Sequence, residues 1–280
     1  TAFTVKIIKG FLAHQHSFLN LAFRHKKFYS PNCDSITKFS PMDENLLLLD
    51  SITDANIDCA GQVVVSGSHG GLYPASIASN WGVRAVIFND AGIGYNEAGI
   101  SGVLKLADIG MAAATVDCWS CRIGSAIDAT ARGRISVVNK VAEQCGISKG
   151  MLATEALELL FNAPITAKKM PQVSEARSEI TLPVSSRAIQ LLDSASLVNS
   201  RDTEKIVVTG SHGGLIGGDS RRALKARARI GVFNDAGVGI EGIGITRLPA
   251  LDQINVAAVT ISCHTARIGD ASSTLETGVI

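Results

Sequence analysis

The sequence predicts an α/β fold: two tandem βαβαβ repeats with mainly parallel sheets and ligand loops at the carboxyl ends of the strands. Three observations predict it. The first is self-similarity. LLDS occurs at 48–51 and 191–194, GSHGG at 67–71 and 210–214, FNDAG at 88–92 and 233–237, and RIG at 122–124 and 267–269. The first two pairs are 143 residues apart (69 to 212) and the last two 145 (89 to 234). Four ordered blocks at nearly one spacing identify a duplication. The second observation is that short β-branched or apolar runs end in glycine or Asn-Asp, as buried parallel strands do. The third is that a helical stretch separates each such run from the next, the alternation that builds a parallel sheet.

In chain order, 1–34 is a basic amino-terminal arm with Lys6, Lys9, Arg24, Lys26 and Lys27, and residues 1–33 hold no acidic residue. Its composition suits an organelle-targeting remnant, mitochondrial or plastid, or a docking arm on an acidic partner. Repeat one occupies 35–163. Its strands are expected at 63–67, 84–90 and 111–118, with helices at 74–81 and 98–109. Two more helix-like stretches follow at 137–146 and 151–163. Polar, proline-containing 164–185 reads as a linker. Repeat two occupies 186–280, with strands at 206–210, 229–235 and 255–263 and helices at 219–228 and 245–254. It lacks a counterpart of the helical tail, so it reads as truncated.

Ligands of open parallel sheets sit at strand carboxyl ends, and the shared polar motifs fall there. Glycines in GSHGG let backbone N–H groups turn toward an anion or oxyanion, so Ser68, Gly70, Gly71, Ser211, Gly213 and Gly214 are candidate binding residues. Asn89 and Asn234, with Arg122 and Arg267 as forks for a carboxylate or phosphate, complete that set. His69, Asp90, His212 and Asp235 are candidates for proton transfer. Cys263 and His264 add a thiol and an imidazole to copy two, where the aligned residues of copy one are Cys118 and Trp119. Pseudo-symmetric pairing of the copies would turn both sets of loops toward one inter-repeat cleft.

Several alternatives lack their signatures. Ser66 and Thr209 stand where a G-x-S-x-G elbow at Ser68 or Ser211 would need glycine, and there is no G-x-x-x-x-G-K-[ST] loop. Gly237 to Gly242 spells G-x-G-x-x-G, but no acidic residue follows at the distance a dinucleotide fold requires. The lone C-x-x-C, Cys118 to Cys121, lacks the second pair of a structural zinc site. No H-x-x-x-H or H-E-x-x-H spacing supports a metal, and the sequence names no cofactor. Lys plus Arg is 26 against 25 for Asp plus Glu, a balance unlike a nucleic-acid binder. No uncharged apolar run reaches the length of a membrane span. Six dispersed cysteines suit reduced thiols in a soluble intracellular protein.

Two functional classes follow. One is a small-molecule hydrolase or lyase acting on an anionic, carboxylate-like substrate. The other is a degenerate enzyme-like repeat protein serving as a binding or structural subunit. The expected partners are a small anionic ligand and other copies of the chain or a larger assembly, with no nucleic acid and no membrane span.

Overall fold

The computed structural model describes residues 45–181 and 187–280, so the basic arm lies outside the described residues. The first sheet has the order β1 (Leu46–Leu49), β2 (Val63–His69), β3 (Ala85–Asn89), β4 (Ala112–Val116), β5 (Ile135–Val138). β1 to β4 run parallel and β5 is antiparallel to β4. Successive side chains of a strand face opposite sides of the sheet. Val63, Val65, Ala85, Ile87, Ala112 and Ala114 therefore pack against one set of helices, α3 (Ala126–Arg132), α4 (Lys140–Gln144) and α5 (Ala153–Leu160). Val64, Val86, Phe88 and Ala113 pack against the other set, α1 (Leu72–Asn80) and α2 (Ser101–Leu106). Burial on both faces is why these strands read as continuous apolar runs.

The second sheet repeats the plan with β7 (Ala188–Leu192), β8 (Ile206–His212), β9 (Ile230–Asn234) and β10 (Ala257–Ile261), again parallel. Its antiparallel member, β6 (Arg177–Thr181), pairs with β7, the edge opposite to the one β5 occupies in the first sheet. This strand comes from the segment that reads as linker. α6 (Arg247–Asp252) and α7 (Ala271–Thr277) complete the repeat.

The helix expected over 219–228 does not form. Two 3-10 turns, Ile216–Gly218 and Ser220–Arg222, stand where repeat one has α1. Gly217 and Gly218 both adopt positive φ, which stops helical propagation, and Asp219 then caps the second turn. The stretch at 137–146 is also divided, between the end of β5 and the single turn and a half of α4.

The two repeats meet through reciprocal contacts. Tyr95 N–H donates to the Cys263 carbonyl (2.7 Å), and Ile240 N–H donates to the Cys118 carbonyl (2.9 Å). Ala91, Ala98, Ile123, Ala236, Ile243 and Ile268 form an apolar cluster between them. Gly92 and Gly237 approach so closely that a Cβ on Gly92 would lie 2.9 Å from the Gly237 Cα. Equivalent residues exchanging equivalent bonds is the signature of a twofold interface, here within one chain.

Candidate functional site

A cleft of about 340 Å³ opens between the repeats, with the ends of β2 and β8 at its floor. Both strands carry a bulge just before their last residue, where pairing skips from Val65 to His69 and from Val208 to His212. Bulges re-aim side chains, and these turn Ser68, His69, Ser211 and His212 toward the cleft. The serine oxygens accept backbone N–H groups from Ile52 (3.0 Å) and Ala195 (2.8 Å), which leaves each hydroxyl proton to point elsewhere.

The histidines share one arrangement. Nδ1 of His69 accepts the Gly71 N–H, and Nδ1 of His212 accepts the Gly214 N–H, both at 3.2 Å. In a neutral imidazole the other nitrogen then carries the proton, so each Nε2–H is a donor. Burial pushes His69 down to about 4. Burial, together with the charges of Arg247 and His69, pushes His212 down to about 3. At neutral pH both rings are uncharged hydrogen-bond donors, suited to an anion or a developing oxyanion.

Arg247 supplies the site's strongest electrostatic feature. It is 2% exposed, yet it lines the cleft. Its guanidinium donates to the carbonyls of His212 and Gly214 (each 3.1 Å) and to those of Arg222 and Ala223, and it lies 5.3 Å from the Phe233 ring centroid. No carboxylate among the described residues pairs with it. A buried cation without a counter-ion is unfavourable unless an anion compensates it. Burial, with Arg222 nearby, pulls it down to about 10. Arg221, Arg222 and Lys225 wall the same side of the cleft. Repeat one has no equivalent: Gly102 holds the register position of Arg247, and a Cβ there would lie 2.0 Å from the Gly71 carbonyl oxygen.

The GSHGG amides do not form the anion cradle that their glycines suggest. Gly70 and Gly213 N–H donate to the carbonyls of Asn89 (3.0 Å) and Asn234 (2.7 Å), and Gly71 and Gly214 N–H are taken by the histidines. These glycines serve close packing instead. A Cβ on Gly70 would lie 2.8 Å from Val103 and 2.9 Å from Thr115.

The Asn-Asp pairs lie outside the cleft and brace the inter-repeat loops. Asn89 and Asn234 accept the N–H groups of Ala91 and Ala236 through Oδ1. Asp90 Oδ1 accepts from Gly92 and Cys118, each at 3.0 Å, and Asp235 Oδ1 accepts from Gly237 (3.0 Å) and Cys263 (2.8 Å). Burial raises the Asp90 carboxyl above its ordinary range. The loops so held contain left-handed Ile93 (φ 63) and Val238 (φ 61), where β-branched residues are strained.

Cys263 is buried at the same interface, and burial with the adjacent Asp235 pushes its thiol up to about 12, against thiolate chemistry. Cys118, its counterpart, is also shifted upward by burial. Asp90, Asp117 and Cys118 gather within 4.8 Å, but one oxygen of each carboxylate already accepts backbone N–H groups. His264 is exposed and away from the cleft. Arg122 Nε reaches across to Glu241 (2.7 Å), while Arg267 stays within its repeat on Asp270 (2.8 Å).

Of the sequence-predicted residues, the structure thus gathers Ser68, His69, Ser211 and His212. Sequence reasoning missed Arg247, the basic run 221–225, Tyr73 and Glu175, all of which line the cleft. An arginine aligned with Gly102, and clustered arginines in the stretch where the copies differ in length, were visible signals.

The chain matches no family model, no curated protein and no solved structure.

Proposed function

We propose that the inter-repeat cleft binds a small anionic substrate and that the protein is a hydrolase or lyase acting on it. The observation that carries this reading is Arg247, a buried guanidinium without a carboxylate partner among the described residues, lining a cleft beside Arg222 and Lys225. The anionic group would compensate these charges. The two neutral imidazoles would then donate from Nε2 to an oxygen on which charge develops, and the two serine hydroxyls would add donors beside them.

The test is the melting temperature of the full chain with sulfate or succinate. An ion at about a hundredfold over its Kd adds about 2.7 kcal/mol, a rise of several degrees. Replacing Arg222 and Lys225 together by glutamine should abolish the rise. No response to either ion would overturn the reading. Turnover is then sought by mass spectrometry of small carboxylate and phosphate esters incubated with the protein, and His212→Asn should suppress it.

A second reading, a binding subunit, is favoured by the second sheet. Ala257 is exposed and Val232 and Val259 are half-buried, whereas the equivalent Ala112, Ile87 and Ala114 are sealed. Light scattering distinguishes the readings: a monomer that turns over substrate would exclude the subunit role.

A further inference from the structure

A hydrolase or lyase moves a proton, and the two histidines are poorly equipped to accept one. Each spends Nδ1 on a backbone amide, and each presents Nε2 as a donor. Among the described residues three carboxylates face the cleft: Asp54, Asp193 and Glu175. Asp54 lies 3.6 Å from the Arg222 guanidinium. Asp193 accepts the N–H groups of Ala176 (2.7 Å) and Ala271 (3.1 Å), one through each oxygen. Glu175 has neither kind of partner among the described residues. It is half-buried, it accepts from the Ser196 hydroxyl (3.4 Å), and its other neighbours are the hydroxyls of Tyr73 and Ser194. Hydroxyl partners can serve a carboxyl in either protonation state, because each both donates and accepts.

We infer that Glu175 is the proton-transferring residue of this cleft and that Tyr73, from α1, is its positioning residue. The inference rests on the anion-binding reading above. In the transfer, the carboxyl O–H bond breaks and an O–H bond forms on the substrate oxygen. The electron pair of that O–H bond stays on the carboxylate, and the pair of the breaking substrate bond leaves with the protonated oxygen. In hydrolysis a water adds its hydroxyl to the substrate and its proton to the carboxylate, which restores the acid. Glu175 lies between the repeats in sequence, in the segment that leads into β6, so neither repeat alone would contain the complete site.

The surroundings support this role. Burial raises Glu175 above the ordinary carboxylate range, and the Asp193 charge adds to the rise, while the Ser194, Tyr73 and Ser196 hydroxyls oppose it. From repeat one, Tyr73, His69 and Asp54 face it across the cleft. From repeat two, the facing groups are Asp193, His212, Arg247 and the basic wall of Arg221, Arg222 and Lys225. An arriving anion repels the ionised carboxylate, so anion binding favours the protonated acid.

The experiment is calorimetric titration of the full chain with sulfate, whose own charge is constant over the pH range used. The wild type should lose affinity by about tenfold per pH unit once pH exceeds the Glu175 titration. Glu175→Gln should bind with a much flatter profile and melt like the wild type. Tyr73→Phe removes a donor that favours the carboxylate, so its affinity should begin to fall at higher pH. Parallel pH profiles in the wild type and Glu175→Gln would overturn the inference. Failure of sulfate to bind at any pH would instead sink the anion reading. In that case carbon-13 titration of the glutamate carboxyls decides on Glu175: the resonance lost in Glu175→Gln must titrate above the ordinary range, and an ordinary value overturns the inference.

Discussion

The two repeats carry the same four parallel strands, yet their faces have been used differently. In repeat one, α3, α4 and α5 seal one face and α1 and α2 the other, so Leu157 and Leu160 are buried and strand residues such as Ile87 and Ala114 are fully enclosed. In repeat two, α7 takes the place of α3, and nothing among the described residues takes the place of α4 and α5. Where α1 stands in repeat one, repeat two has glycine-broken turns bearing Arg221 and Arg222, with Lys225 just beyond. One copy is the better-packed scaffold, and the other supplies the cations of the cleft. A site between two copies requires each residue type only once.

The comparison is broken most severely at Arg247. Arg247→Leu strips a donor from four carbonyls and should cost about 3–5 kcal/mol, read as a shift of the urea midpoint. If the variant is as stable as the wild type, the guanidinium is not holding the turn around Ala223 and its role is confined to the ligand. The next contrast concerns the covered and uncovered faces. Leu160→Ala, in the covering helix α5, should cost about 2–5 kcal/mol. Half-buried Leu275→Ala, in α7, should cost less than about 1.5 kcal/mol. Equal losses would mean that the second sheet is as well sealed as the first.

The interface should treat the copies alike. Asp90→Ala and Asp235→Ala each remove an acceptor for two backbone N–H groups. Each should cost about 1.5–3 kcal/mol, and the two losses should agree within about 1 kcal/mol. A large inequality would show that the reciprocal geometry conceals unequal loops. The last contrast is acid sensitivity. His69 and His212 titrate near 4 and 3 in the folded protein and near 6.5 when unfolded. Between those values the unfolded chain binds protons that the folded chain does not. Stability therefore falls as pH drops below about 6.5, by at most about 1.4 kcal/mol per pH unit for His212. His212→Asn should flatten that slope in urea titrations at about pH 6.5 and 4.5. An unchanged slope would assign the acid sensitivity to other groups.

How much of this was legible depended on whether the signal was local. β-Branched runs ending in polar loops placed β2, β8, β3 and β9, and the repeated GSHGG placed His69 and His212 at the strand ends beside the cleft. The same motif misled about its amides, because GSHGG spells a flexible loop without showing that Asn89, Asn234 and the histidines would occupy its N–H groups. Asp90 and Asp235 read equally well as catalytic acids and as turn braces, and the second use is seen only when the N–H groups of Cys118 and Cys263 arrive from the turns after β4 and β10, 28 residues away. Glu175 carried no local signal at all, lying in a polar stretch that resembled a tether.

The sequence by itself therefore determined the duplication, the parallel order within each repeat and the presence of paired histidines at strand ends. These follow from periodicity and from the dihedral preferences of short segments, which neighbouring residues settle. Tertiary structure alone decided that the repeats pair face to face, that Arg247 is buried without a carboxylate partner among the described residues, and that Glu175 enters the cleft. Such facts depend on close approach between segments far apart in the chain, and burial, which shifts the charges of the site, exists only once those segments have packed together.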